Sequence, residues 1–75
     1  MVNAYCLIST APGKTMEVLR KVKTIDAVKL ADSVAGDYDI VTRIEIDSLA
    51  ELSKTVFGDI RTIPSVTNTK TLIVF

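Results

Sequence analysis

Hydrophobic and polar positions alternate with period two in four stretches of the chain, and recur at helical spacing in two more. Residues 2–10 place Val2, Ala4, Cys6 and Ile8 on one side of an extended segment, with Tyr5 and Leu7 on the other. This predicts a first strand with apolar groups on both faces. Ala11-Pro12-Gly13-Lys14 breaks it, and Met16, Leu19 and Val22 follow at i, i+3 and i+6. Their spacing predicts a helix with one inward stripe, stopping near Thr24–Asp26. Residues 27–35 alternate again, with Val28, Leu30 and Val34 on one face and Lys29, Ala31, Ser33 and Ala35 on the other. Residues 40–46 set Ile40, Ile44 and Ile46 against Val41, Arg43 and Glu45, and the short link at 36–39 predicts an antiparallel hairpin.

Ser48 followed by Glu51 is a capping-box pattern, and Leu49, Leu52, Val56, Ile60 and Ile63 supply the inward stripe of a second helix. Gly58 weakens that helix by about 1 kcal/mol relative to Ala, or else ends or kinks its last turn. Ile63-Pro64-Ser65 closes it, because the residue before proline is pushed out of the α region. Residues 66–75 predict a fourth strand, with Thr67, Thr69, Thr71, Ile73 and Phe75 on one face. Three hydroxyls in a row form either a solvated surface or the polar lining of a groove.

The β-α-β-β-α-β order predicts an α+β, ferredoxin-like fold. Right-handed crossovers interleave the strands into one four-stranded antiparallel sheet with both helices on one face. Tyr5, Leu7, Ala31, Ser33, Val41 and the threonines are assigned to the other, uncovered face. The 75 residues are read as one domain, 1–75, and a chain of this size buries only about 60% of its unfolded surface. Its 48% hydrophobic content exceeds what one small core hides. The uncovered face is therefore expected to join copies sheet against sheet about a two-fold axis, as an obligate oligomer.

Nine basic residues balance nine acidic ones, and the single concentration of charge is Arg20-Lys21-Val22-Lys23 on the first helix. Direct nucleic-acid binding is disfavoured on that basis, as is an RNA platform with only Tyr5, Tyr38, Phe57 and Phe75 for stacking. Without histidine, the serines have no partner base, and Cys6 stands alone without a second thiol for metal capture or dithiol chemistry. No metal site and no cofactor are expected. Glycines 13, 36 and 58 are too far apart for a phosphate loop. A lone thiol fits a reducing interior, and no apolar run approaches the roughly 20 residues of a membrane span, so a cytoplasmic location is expected.

The remaining chemistry gathers at Val34-Ala35-Gly36-Asp37-Tyr38-Asp39-Ile40, a polar turn between two apolar runs. Gly36 can take positive φ and reverse the chain. Asp32, Asp37 and Asp39 place three carboxylates around this one hairpin, read as solvated turn acids without the partner groups that catalysis requires. The turn is either a plain hairpin loop or a binding site.

Around Gly36-Asp37-Tyr38-Asp39 the sequence resembles the effector-binding (RAM) domain of the Lrp/AsnC family. There a small residue or threonine, a glycine, a variable residue, an aromatic and an aspartate run into an apolar strand. Ala35, Gly36, Asp37, Tyr38, Asp39, Ile40 and Val41 follow that pattern, and Ile63-Pro64-Ser65-Val66 with Thr69, Thr71, Leu72, Ile73 and Val74 resembles the family's last loop and strand. The resemblance covers essentially the whole chain. It implies a stand-alone form lacking the family's helix-turn-helix, whose dimers, built like α/β barrels, assemble into octamers or similar rings. It also implies an amino-acid effector near the β2–β3 turn, with Ser33, Ala35, Gly36, Asp37, Tyr38, Asp39, Thr69 and Thr71 as the binding residues. The implied role is non-enzymatic modulation of transcription through co-assembly with full-length family regulators. Ala35 departs from the pattern, since threonine is frequent there. Two alternatives stay open: a small cofactor-independent dimeric enzyme of monooxygenase or isomerase type, and an ACT-like regulatory subunit of a biosynthetic enzyme.

Overall fold

The computed structural model describes residues 1–75. Strand β1 (Val2–Thr10) leads into helix α1 (Thr15–Val22), then strands β2 (Val28–Ser33) and β3 (Ile40–Ile46). Helix α2 (Leu49–Lys54) continues as a π-helical turn over Thr55–Ile60, and strand β4 (Val66–Ile73) ends the order. The sheet runs β2-β3-β1-β4 with every neighbouring pair antiparallel. This is the expected α+β arrangement of four strands and two helices.

The core lies between the sheet and the helices. Ala4, Cys6 and Ile8 of β1 and Ile40 and Ile44 of β3 are buried against Val18, Leu19 and Val22 of α1 and Leu52, Val56 and Ile60 of the second helix. Thr42, wholly buried among them, donates its hydroxyl to the Cys6 carbonyl at 3.0 Å, so the fold leaves this polar group satisfied. Ser48 caps α2 by accepting the Glu51 N–H at 3.2 Å, as the capping pattern anticipates.

Several face assignments need correction. In α1 the inward residues are Val18, Leu19 and Val22, whereas Met16 is 56% exposed. Met16 sits about a third of a turn from the centre of that stripe, at 100° per residue. Leu49, placed in the inward stripe of α2, is likewise exposed at the first helical position.

In β2, a register shift between Val28 and Leu30 inserts one extra residue. Beyond it the parity reverses: Val28 pairs with Ile44 on the helix side, Leu30 with Arg43 on the open side, and Ala31 with Thr42 on the helix side again. Ala31 and Ser33 therefore do not belong to the open face. Thr69 and Thr71 do not either, because they stand opposite Ile8 and Cys6, the core-facing residues of β1. The open face instead carries Tyr5, Leu7, Leu30, Asp32, Val41, Arg43, Lys70 and Leu72.

Candidate functional site

The β2–β3 connection is held at both ends before its own residues are considered. Ser33 pairs with Ile40 as the last rung, and the Val34 N–H donates to the Asp39 carbonyl at 2.9 Å. Four residues, Ala35 to Tyr38, span the reversal. Gly36 has φ +142°, a conformation that L side chains rarely adopt, and a Cβ there would meet nothing within 4 Å. Glycine is thus required at this position by backbone conformation and not by crowding. The N–H groups of Ala35, Gly36, Asp37 and Tyr38 have no backbone acceptor. They form a run of free donors beside two carboxylates, with Ala35, Gly36 and Asp37 exposed and Tyr38 and Asp39 half-buried.

Asp39 differs from Asp37 in being built into the fold. Its N–H donates to the Ile8 carbonyl at 2.9 Å, carrying the turn onto the end of β1. Its Oδ2 accepts the Thr10 N–H at 2.8 Å and the Thr10 hydroxyl at 3.3 Å. The Thr10 hydroxyl also meets that of Thr15, the first residue of α1, at 2.8 Å. One oxygen of Asp39 therefore ties the turn to β1 and to the start of the helix, while Oδ1 stays free. Thr10 and Thr15 went unnoticed in the sequence, because their partner lies 29 residues away from Thr10 and no local pattern marks such a contact.

Thr69 and Thr71 are not brought to this turn within one chain. Ser33, Ile40, Ile8 and Thr69 occupy one row across the sheet, from one edge strand to the other. Three strand spacings separate Ser33 from Thr69, roughly 14 Å. Thr71 lies in the next row, beside Cys6, and lines an apolar groove of about 340 Å³ with Leu49, Leu52, Val56, Phe57 and Ile73. Burial pushes the Cys6 thiol up, and hydrogen bonds with Thr71 and Thr42 offset this in part. The Thr71 side chain thus lies on the helix side of the sheet, away from the turn.

None of the surface depressions of one chain includes residues 33–39. No three His, Cys, Asp or Glu side chains stand together where they could hold a metal ion. No helix is long and apolar enough to cross a membrane. The turn therefore offers free N–H donors with carboxylates beside them, outside any enclosed pocket of the single chain.

Proteins similar to this chain in sequence and in architecture are known. The HTH-type transcriptional regulator LysM of Sulfurisphaera tokodaii is 31% identical over 74 residues, covering 97% of this chain and 52% of the regulator. The chain thus spans about half the length of that relative. The crystal structure of FFRP-DM1 superposes with a TM-score of 0.96 at 37% identity, over 100% of both chains. PHS023 from Pyrococcus horikoshii gives a TM-score of 0.93 at 37% identity, over 100% of this chain and 90% of its own. The pattern of the Lrp/AsnC ligand binding domain fits residues 3–75, and the chain belongs to that family of regulatory domains.

Proposed function

We propose that this chain is a non-enzymatic sensor that binds a small amino acid at the β2–β3 turn and acts on transcription through oligomers that include full-length family regulators. The observation that carries the reading is the turn itself, where free N–H groups at Ala35–Tyr38 lie beside the Asp37 and Asp39 carboxylates. A zwitterion needs donors for its carboxylate and acceptors for its ammonium, and both are offered within one short connection. Gly36 lets the backbone approach the ligand without a Cβ. Asp37 and the free Oδ1 of Asp39 accept from the ammonium, and Tyr38 packs across the ligand.

Ser33, Thr69 and Thr71 enter this proposal only through assembly. Because Ser33 and Thr69 stand on opposite edges of the sheet, a second copy has to bring its β4 to the turn for both to reach one ligand. The similarity to half of a helix-turn-helix regulator supports transcription as the process served.

Calorimetry of the assembled protein with each of the twenty amino acids tests the reading. At least one should bind, with a dissociation constant in about the micromolar to millimolar range for a ligand of around ten heavy atoms. Asp39→Asn keeps an oxygen for Thr10 while removing the charge, and together with Asp37→Asn it should weaken binding about tenfold or more. No heat with any amino acid, or equal heats from wild type and the double variant, would sink the proposal.

A further inference from the structure

The two edge strands of the sheet differ in how they are protected. At one edge, β2 carries a register shift beside Lys29 and a further charge at Asp32, features that discourage pairing with another chain. At the other edge, β4 reads Thr-Leu-Ile-Val-Phe from Thr71 to Phe75, with no charge, proline or glycine. Its pairing with β1 is regular there, since the one register shift lies at the far end, between Ser9 and Thr10.

The hydrogen bonds show which groups this edge offers. The Val74 N–H donates to the Asn3 carbonyl at 2.9 Å, so Val74 turns its backbone toward β1. Along an antiparallel strand, successive residues direct their N–H and C=O to opposite sides. Thr71, Ile73 and Phe75 therefore direct theirs outward, where no strand lies.

The side chains of the same three residues share a face. Thr71 and Ile73 stand opposite Cys6 and Ala4 on the helix side, and Phe75 follows with the same parity. Thr71 and Ile73 form one wall of the apolar groove of about 340 Å³, and Leu49, Leu52, Val56 and Phe57 form the other. Ile73 remains 42% exposed there, and Phe75 has no cover at all. One chain thus presents an apolar groove and an uncovered aromatic ring side by side on one edge.

We infer that the β4 edge joins two copies of this chain, paired antiparallel about a two-fold axis at Ile73. In that register Ile73 faces its own counterpart and Thr71 faces Phe75 of the second copy, so the outward groups of all three residues are paired. Directly opposed residues point to the same face, which delivers each Phe75 to the groove wall at Thr71 of the other copy. Leu72 meets Val74 on the open side, and Lys70 has no counterpart among residues 71–75, so no like charges are opposed. The contact is reciprocal, because each copy gives one ring and takes one. It uses the sheet edge and leaves the open face free, so copies paired through that face are joined by it into larger assemblies.

Oxidative cross-linking of the full chain tests the register. Ile73→Cys sets two thiols across the axis with Cα atoms about 5.5 Å apart, inside the range of about 4.4–6.8 Å that disulfides span. A mild oxidant should then give a covalent dimer, whereas Met16→Cys, on the exposed side of α1, should give none. Cys6 is buried and takes no part. In sedimentation equilibrium, Phe75→Ala should weaken assembly beyond two copies about tenfold or more, as loss of an aromatic anchor implies. Ile73→Pro removes the outward N–H while sparing the bonds to β1, and should weaken it at least as much with the circular dichroism unchanged. Cross-linking at Ile73→Cys no greater than at Met16→Cys, or sedimentation profiles unaltered by Phe75→Ala, would overturn the inference. Failure here leaves the proposal for the β2–β3 turn standing, since residues 35–39 take no part in the contact.

Discussion

One oxygen of the Asp39 carboxylate already holds the Thr10 N–H and hydroxyl, so substituting this residue disturbs the fold as well as any ligand. Asp39→Ala removes the acceptor and leaves a half-buried backbone donor without a partner, which should cost about 1–3 kcal/mol in urea unfolding. Asp39→Asn retains an acceptor and should lose clearly less. Equal losses from the two variants would mean that charge, and not the hydrogen bond to Thr10, matters to the fold. A second prediction concerns Cys6, whose thiol is held above its ordinary value of 9.0 by burial. As pH rises, the unfolded thiol ionises first, so the unfolded state holds fewer protons than the folded one and stability falls. The Cys6 contribution should be level below about pH 9 and decline above it. Urea midpoints from about pH 8 to about 10.5 should therefore fall more steeply for wild type than for Cys6→Ala, while parallel slopes would remove Cys6 from the account.

At the scale of elements, the π turn over Thr55–Ile60 is the departure from a regular second helix. The Arg61 N–H donates to the Val56 carbonyl at 2.9 Å, a step of five residues, while Val56 and Ile60 remain buried on the inner face. Gly58 lies inside this turn with no positive φ, and a Cβ there would meet nothing within 4 Å. Gly58→Ala should accordingly stabilise the protein by about 0.5–1 kcal/mol, by restricting the unfolded chain more than the folded one. A loss of stability in thermal melts would show that the wide turn needs glycine.

The same elements show what could be read from the sequence. The spans of β1 and β3 follow from the alternation of side chains, and the hairpin between β2 and β3 from the short link at 36–39. Alternation fails in β2, where one extra residue near Lys29 reverses the parity of Leu30 and Ala31. It fails again in β4, where threonines face the core beside Cys6 and Ile8, so polarity gives the wrong side. The turn at Gly36 could be located from its residues, but its anchoring through Thr10 and Thr15 depends on strands meeting at long range.

For the whole molecule, the uncovered sheet face carries the next argument. Leu30 and Leu72 are 49% and 45% exposed there, and Leu7 and Val41 pair in its centre between Asp32 on β2 and Lys70 on β4. Arg43 donates to the Tyr5 hydroxyl at 2.9 Å and lies 5.6 Å from the ring centre, while Glu45 takes its Nε at 3.6 Å. Arg43 is thereby neutralised within the face, Asp32 and Lys70 stand unpaired at its two edges, and the apolar band between them is the expected contact with a second copy of the same face. Leu7→Lys places a new ammonium in that band next to Lys70, where a two-fold interface would have to desolvate both. Sedimentation equilibrium should show the dimer dissociation constant rising about a hundredfold, equivalent to about 3 kcal/mol. Met16→Lys, on the exposed side of α1, should leave assembly unchanged. If the effector turn is completed by a second copy, Leu7→Lys should also lose amino-acid binding while keeping the circular dichroism of the wild type. A variant that stays assembled would place the interface elsewhere. One that dissociates yet still binds would show that a single turn suffices.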